Sequence, residues 1–166
     1  MMRGAVLVAA VGLVAGGCVA GPAAAVGDAS RVDMCTIVTN PELSQLGIRL
    51  DSREPVDQFG SVGCEWVGNP FRLSLERDKE TVASYRSRER GPAFIVYAEN
   101  VVNGRAGATF AVDRDGGMDC EQLIDGGLVS LVVHVAAESG SNGPRIDSCA
   151  EALRIARLIE PRLPKA

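Results

Sequence analysis

The sequence predicts a single α+β domain: a mainly antiparallel sheet of about five or six strands with flanking helices, its C-terminal helix packed on the sheet. Three observations predict it. Asn103-Gly104 and Asp125-Gly126 each stand between segments that read as strands, and Asn-Gly is the strongest two-residue hairpin signal. Ahead of Pro161, Cys149, Ala152, Leu153, Ala156 and Ile159 recur at helical spacing and mark a helix with one buried face. No internal repeat is visible in the 166 residues, a length that suits one folded unit.

In chain order, residues 1–17 read as a lipoprotein signal. Arg3 supplies a positive start, residues 5–15 are an apolar run of Ala, Val, Leu and Gly, and Ala15-Gly16-Gly17 leads into Cys18. A membrane-spanning helix needs about 20 apolar residues; this run is roughly half that, the length of a signal-peptide core. Small residues followed by a Cys form a lipobox, in which the thiol accepts a diacylglyceryl group and becomes the N-terminus after cleavage. Ala15 stands where Leu is favoured, and Ala23-Ala24-Ala25 offers ordinary secretory cleavage as the competing reading. The expected lipidation site is Cys18, and the expected location is extracytoplasmic, lipid-anchored to the cell membrane. Residues 18–30, rich in Gly, Ala and Pro, read as the lipidated Cys and a flexible tether. That leaves 31–166 as the folded domain.

Within the domain, Asn40 is expected to cap a short helix, with Pro41 at its first position and Gly47 at its end. Leu43 and Leu46 supply its buried side. Residues 64–67 and 71–77 read as strands around Gly68-Asn69-Pro70, the second placing Phe71, Leu73 and Leu75 on one face. Residues 81–90 are polar and read as a helix. Residues 94–102 with 105–112, and 120–124 with 128–135, form the two hairpins. The last helix starts at a capping box, Ser148-x-x-Glu151, and stops at Pro161.

Four cysteines lie in the domain: Cys35, Cys64, Cys120 and Cys149. An even number in an exported chain reads as two disulfides, because that compartment is oxidising. Of three possible pairings, Cys35–Cys64 with Cys120–Cys149 is favoured, since each joins sequence neighbours across equal separations. Loop closure gives each bond about 3–4 kcal/mol of stabilisation. Zinc has little support, with no CxxC and one histidine; no metal and no cofactor is expected. Removing residues 1–17 takes the formal net charge from -4 to -5, and no basic patch is visible. Nucleic-acid binding, which depends on phosphate neutralisation, is therefore not expected.

Catalytic candidates are few. His134 is the only histidine, on the strand face opposite Val129, Leu131, Val133 and Val135, and it reads as a structural residue beneath a helix or at a sheet edge. Ser61, in Phe59-Gly60-Ser61-Val62-Gly63, lacks the first glycine of a G-x-S-x-G elbow. Ser61 and Ser141 both read as turn serines. Asp113, Asp115 and Asp119 cluster with glycines but lack EF-hand spacing, and read as a polar turn. Trp66 beside Cys64 reads as core. Glu65 with Glu99 or Glu121 offers the carboxylates of an enzyme, and nothing in the sequence pairs them.

Four stretches go further. Asp33-Met34-Cys35 leads through Pro41-Glu42-Leu43 to Leu46-Gly47-Ile48. Gly63-Cys64-Glu65-Trp66 forms a Cys-polar-Trp strand. Asn103-Gly104-Arg105-Ala106-Gly107 forms a Gly-Arg-x-Ala hairpin, with Gly107 where Ala is usual. Asp147-Ser148-Cys149 opens the last helix, followed by Ala156 and Pro161-x-Leu163-Pro164. In this order, behind a lipobox, they resemble the DUF3558 family of actinobacterial lipoproteins, a domain of unknown function. The resemblance spans nearly all of the mature chain. It implies a lipid-anchored envelope protein and brings no catalytic residues with it.

The expectation is a membrane-anchored extracytoplasmic lipoprotein, not an enzyme, that binds a protein partner or a small envelope ligand, as an accessory to a sensor or transporter. The alternatives are a carboxylate-based cell-envelope hydrolase and a carrier of an apolar molecule. Ligand-binding residues are not identifiable from the sequence.

Overall fold

The strands are β1 (Glu54–Gln58), β2 (Ser61–Trp66), β3 (Phe71–Asp78), β4 (Val96–Val102), β5 (Arg105–Arg114), β6 (Gly117–Asp125) and β7 (Ser130–Ala137). They pair into one antiparallel sheet in the order β1-β2-β3-β7-β6-β5-β4. Among the described residues three α-helices accompany it: α1 (Asn40–Gln45), α2 (Val82–Ser87) and α3 (Ser148–Ile159). The computed structural model describes residues 26–87, 96–114, 117–137 and 146–165.

Among the described residues, seven strands replace the expected five or six. The strand that the pattern concealed is β1, whose sequence Glu54-Pro55-Val56-Asp57-Gln58 does not alternate and buries only Val56 in part. It closes one edge of the sheet, and proline and charge are what natural edge strands carry. The helix expected over 81–90 is α2; residues 88–90, and 94–95 of the next expected strand, lie outside the described residues.

The pleat sends Leu73 and Leu75 of β3 and Leu131, Val133 and Val135 of β7 to one face, where all are fully buried. That face is covered by α3, which packs on β6 and β7. Ala152, Ile155, Ala156 and Ile159 of α3 have no exposed surface, and each isoleucine buried this way contributes about 1.5–3 kcal/mol. Ile155 was not in the expected stripe, while Cys149 and Leu153 are only half-buried. Met34, Leu43, Leu46, Ile48, Trp66 and Phe71 complete the core beneath the N-terminal segment and α1. Trp66 is a core residue, as read from the sequence.

Both caps sit one residue earlier than expected. Thr39 precedes α1, and its N–H and hydroxyl donate to Glu42 Oε2 at 2.9 and 2.7 Å; Asn40 is the first helical residue. Asp147 precedes α3, and its carboxylate accepts from the N–H groups of Cys149 and Ala150 at 3.0 Å. A carboxylate suits the positive end of a helix better than a hydroxyl, so Ser148 becomes a buried first-turn residue and Glu151 turns to Arg154. Gly47 does end α1. It adopts φ +78°, with Ile48 N–H on Leu43 O and Gly47 N–H on Ser44 O, both at 3.0 Å, a Schellman motif.

Asn103-Gly104 turns the β4–β5 hairpin with φ 50° and 96°, as expected of Asn-Gly. The β6–β7 turn is longer than the two residues expected. Asp125 pairs with Ser130, so residues 126–129 form the loop, and Gly127 rather than Gly126 is left-handed at φ +81°. A third hairpin, β1–β2, turns on Phe59-Gly60 with φ 54° and 98°.

The disulfides are Cys35–Cys64 and Cys120–Cys149, the pairing favoured from the sequence. The first pins the N-terminal segment to β2, the second the first turn of α3 to β6. Part of the stretch read as tether is folded. Val26 bridges Lys165, Ala29 N–H donates to Gly126 O at 2.9 Å, and Ala29 is fully buried.

Candidate functional site

A groove of about 420 Å³ lies between the N-terminal segment and the β1–β2 hairpin, lined by Arg31, Asp33, Met34, Pro55, Val56, Asp57, Val62 and Arg77 among others. Its volume falls in the range of about 300–1,000 Å³ usual for binding clefts. The Cys35–Cys64 bond fixes one wall against the other. Asp33 shapes the same segment, accepting from Cys35 N–H at 2.9 Å and from the Thr36 hydroxyl at 3.0 Å. Arg77 reaches across from β3 to donate to Val32 O at 3.2 Å. The lining offers guanidinium, carboxylate and apolar surface together, beside the edge strand β1. Such a mixture suits recognition of a polar chain; an apolar cargo needs a drier cavity. Nothing in the sequence flagged this groove, because its residues come from segments separated by as many as 46 positions, from Arg31 to Arg77.

The opposite face of the sheet carries the polar candidates. Register places Glu65, Ser74, His134 and Glu121 side by side on β2, β3, β7 and β6. His134 is therefore on the central strand of the sheet, away from either edge, and faces away from Leu131, Val133 and Val135 as expected. Its Nε2 lies 3.9 Å from Asp119 Oδ2. The neighbouring Ser74 is buried and sends its one hydroxyl proton to Glu76 Oε1 at 2.6 Å, so it is not poised as a nucleophile toward His134.

The carboxylates singled out from the sequence are not brought together. Glu65 is held by Arg72 at 3.0 Å, and Glu99 pairs with Arg86. Glu65 and Glu121 are three strand spacings apart, about 14 Å, against the roughly 5–10 Å that paired carboxylates use in glycoside hydrolysis. Glu99 is farther still from Glu65, on the opposite edge strand. Among the described residues, no group of three His, Cys, Asp or Glu side chains is placed to hold a metal. Of Asp113, Asp115 and Asp119, only Asp119 has a described side chain. Ser61 is a strand residue and not a turn serine, donating to Asp78 Oδ2 at 3.1 Å. Asp78 also accepts from the Tyr85 hydroxyl at 2.7 Å; burial, then that bond, raise the phenol's pKa far above its ordinary value. Tyr85 therefore stays neutral and stacks on Phe110 with ring centres 5.7 Å apart. Cys18 and Ser141 lie outside the described residues.

Two arginines that sequence reasoning passed over hold the C-terminal tail. Arg105 of the Gly-Arg hairpin is buried, with Nε 3.3 Å from Glu160, Nη1 donating to Asp125 O at 3.0 Å and Nη2 to Pro164 O at 2.8 Å. Arg162 clamps Glu42 with both Nη groups and also donates to Ile37 O. That pair, followed by the Thr39 bonds, holds the Glu42 carboxyl at a pKa of about 2. Arg105 and Glu42 both belong to the stretches singled out in the sequence, and here both serve to hold the fold together.

Among the described residues no helix is long and apolar enough to cross a membrane. Comparison with curated proteins gives no match, and comparison with solved structures gives none either. The family described as protein of unknown function, DUF3558, matches residues 14–162. That match starts inside the apolar N-terminal run, takes in the seven described strands and ends in the turn after α3, and the chain belongs to the DUF3558 family.

Proposed function

We propose that this chain is an extracytoplasmic lipoprotein, held to the cell membrane through Cys18, whose domain binds an envelope partner and catalyses nothing. The observation that carries the reading is the cysteine pairing. Cys35 with Cys64 and Cys120 with Cys149 use up every thiol of the domain. Cys18 has no partner left to it, and it stands behind an apolar leader and small residues. Acylation is the chemistry that such a thiol serves, and two disulfides suit an oxidising compartment.

The binding role rests on the groove beside β1. An extended segment of an envelope protein fits it best, adding along the edge of β1 while Arg31, Arg77, Asp33 and Asp57 read its charges. A photo-crosslinking residue at Asp57 in intact cells should give a discrete adduct, while the same residue at Ser44 on exposed α1 should not. Monomer alone at both positions would count against a protein partner. A stoichiometric mass increase of the native purified domain would point instead to a small ligand.

A further inference from the structure

We infer that the end of the domain from which residue 26 leads back to Cys18 rests on the bilayer, with Phe59 and Leu128 in its interfacial layer. This rests on the lipid at Cys18 and adds the surface that meets the membrane.

Strand register defines that end. Ser61, Asp78, Ser130 and Asp125 stand in one row across four strands. The turn at Phe59-Gly60 and the loop 126–129 project beyond this row, and Asn103-Gly104 turns at the same end of the sheet. Phe59 is 94% exposed, Leu128 71% and Val101, two residues before Asn103, 58%. These are the three most exposed large hydrophobic residues among those described, and all lie at one end.

The chain leaves from that same end. Ala29 N–H is bonded to Gly126 O, and a Cβ on Gly127 would stand 3.7 Å from Val26 O, so residue 26 sits beside the Leu128 loop. The eight links from Cys18 to Val26 span at most about 28 Å whatever their conformation. The far ends of the strands are a further ~25 Å away, so the lipid draws this end to the surface first. Lys79, Arg157 and Lys165 are exposed here, and the exposed acids beside them are Asp28 and Asp57; cations favour anionic headgroups.

Phe59 is the residue that folding does not account for. It holds φ 54° and Asn103 holds φ 50°, each at the first position of a two-residue turn completed by a left-handed glycine. At Asn103 the chain uses the residue that this backbone favours; at Phe59 it uses a large ring in a conformation that disfavours it, pointed into water. An apolar ring at a loop tip is suited to the boundary between headgroups and acyl chains.

The test uses the full chain, purified from its host membrane and reconstituted in vesicles of phosphatidylethanolamine and phosphatidylglycerol with brominated acyl chains. Phe59→Trp, Leu128→Trp and Leu50→Trp are compared, with buried Trp66 as a constant background; Leu50 lies at the opposite end, next to the residues bonded to Val67. The inference predicts that emission from positions 59 and 128 moves to the blue and is quenched by the bromines, while position 50 is unchanged. Protein that floats with the vesicles but is unquenched at 59 and 128, or equally quenched at all three, overturns the inference and leaves the anchor standing. Protein that fails to float overturns the anchor, and the inference with it.

Discussion

Arg105→Met tests whether the hairpin arginine is the tie that holds the C-terminal tail to the sheet. Arg105 is 7% exposed and Glu160 9%, so truncation strands a carboxylate out of water. Breaking a buried pair in this way costs about 3–5 kcal/mol. The carbonyls of Asp125 and Pro164 lose their donors as well, each worth about 1 kcal/mol when water can partly replace the bond. The double variant Arg105→Met/Glu160→Met removes the stranded charge and keeps only the carbonyl losses, so it should cost about 1–2 kcal/mol. Urea unfolding followed by the fluorescence of buried Trp66 measures both. With a slope of about 2 kcal/mol per molar, the single variant should lower the midpoint by about 2.5–3.5 M, and the double variant by less than half of that. A single variant within about 1 kcal/mol of wild type, or a double variant no better than the single one, would refute the reasoning.

Three further outcomes follow from the same contacts. Phe59→Asn should raise stability by about 1 kcal/mol, seen as roughly 2–4 °C in melting temperature, because Asn tolerates the left-handed turn that Phe does not. Glu42 sits at a pKa of about 2, below its ordinary 4.5, so its contribution is full above the unfolded value and is lost as pH falls toward 2; the melting-temperature gap between wild type and Glu42→Gln should therefore close over that window. Replacing Cys120 and Cys149 by Ala should cost about 2–5 kcal/mol in urea unfolding, since the bond closes a separation of 29 residues between β6 and α3.

Much of the fold could be read in advance because its signals are local. Asn103-Gly104, the alternation of Phe71, Leu73 and Leu75, and the stripe along α3 each state their structure within a few residues. The errors have physical causes. β1 was missed because an edge strand buries almost nothing and so shows no period. The helix caps slipped by one because Thr39 and Asp147 compete with equally plausible neighbours, Asn40 and Ser148, and only tertiary placement decides; burial of Ser148 settles the second. The loop 126–129 hid behind a dipeptide that usually makes a shorter turn. The groove and the arginine clamps were illegible for a different reason. Arg77 meets the carbonyl of Val32, and Glu42 meets Arg162, only once the sheet has assembled, and no short-range pattern encodes such meetings. Nothing in the sequence paired Glu65 with Glu99 or Glu121, and the three stand on separate strands of the sheet.

The central claim concerns a residue at the start of the mature chain. Cleavage after Ala25 would leave every described strand and helix whole, so secretion and acylation differ at the N-terminus itself. Intact-mass and N-terminal peptide spectrometry of the protein isolated from its host membrane reads that terminus directly. The account predicts a chain beginning at Cys18 and carrying a diacylglyceryl group on its sulfur, abolished by Cys18→Ser with the fold unchanged. A chain that begins at Val26, or one that begins at Cys18 with a free thiol, would contradict it.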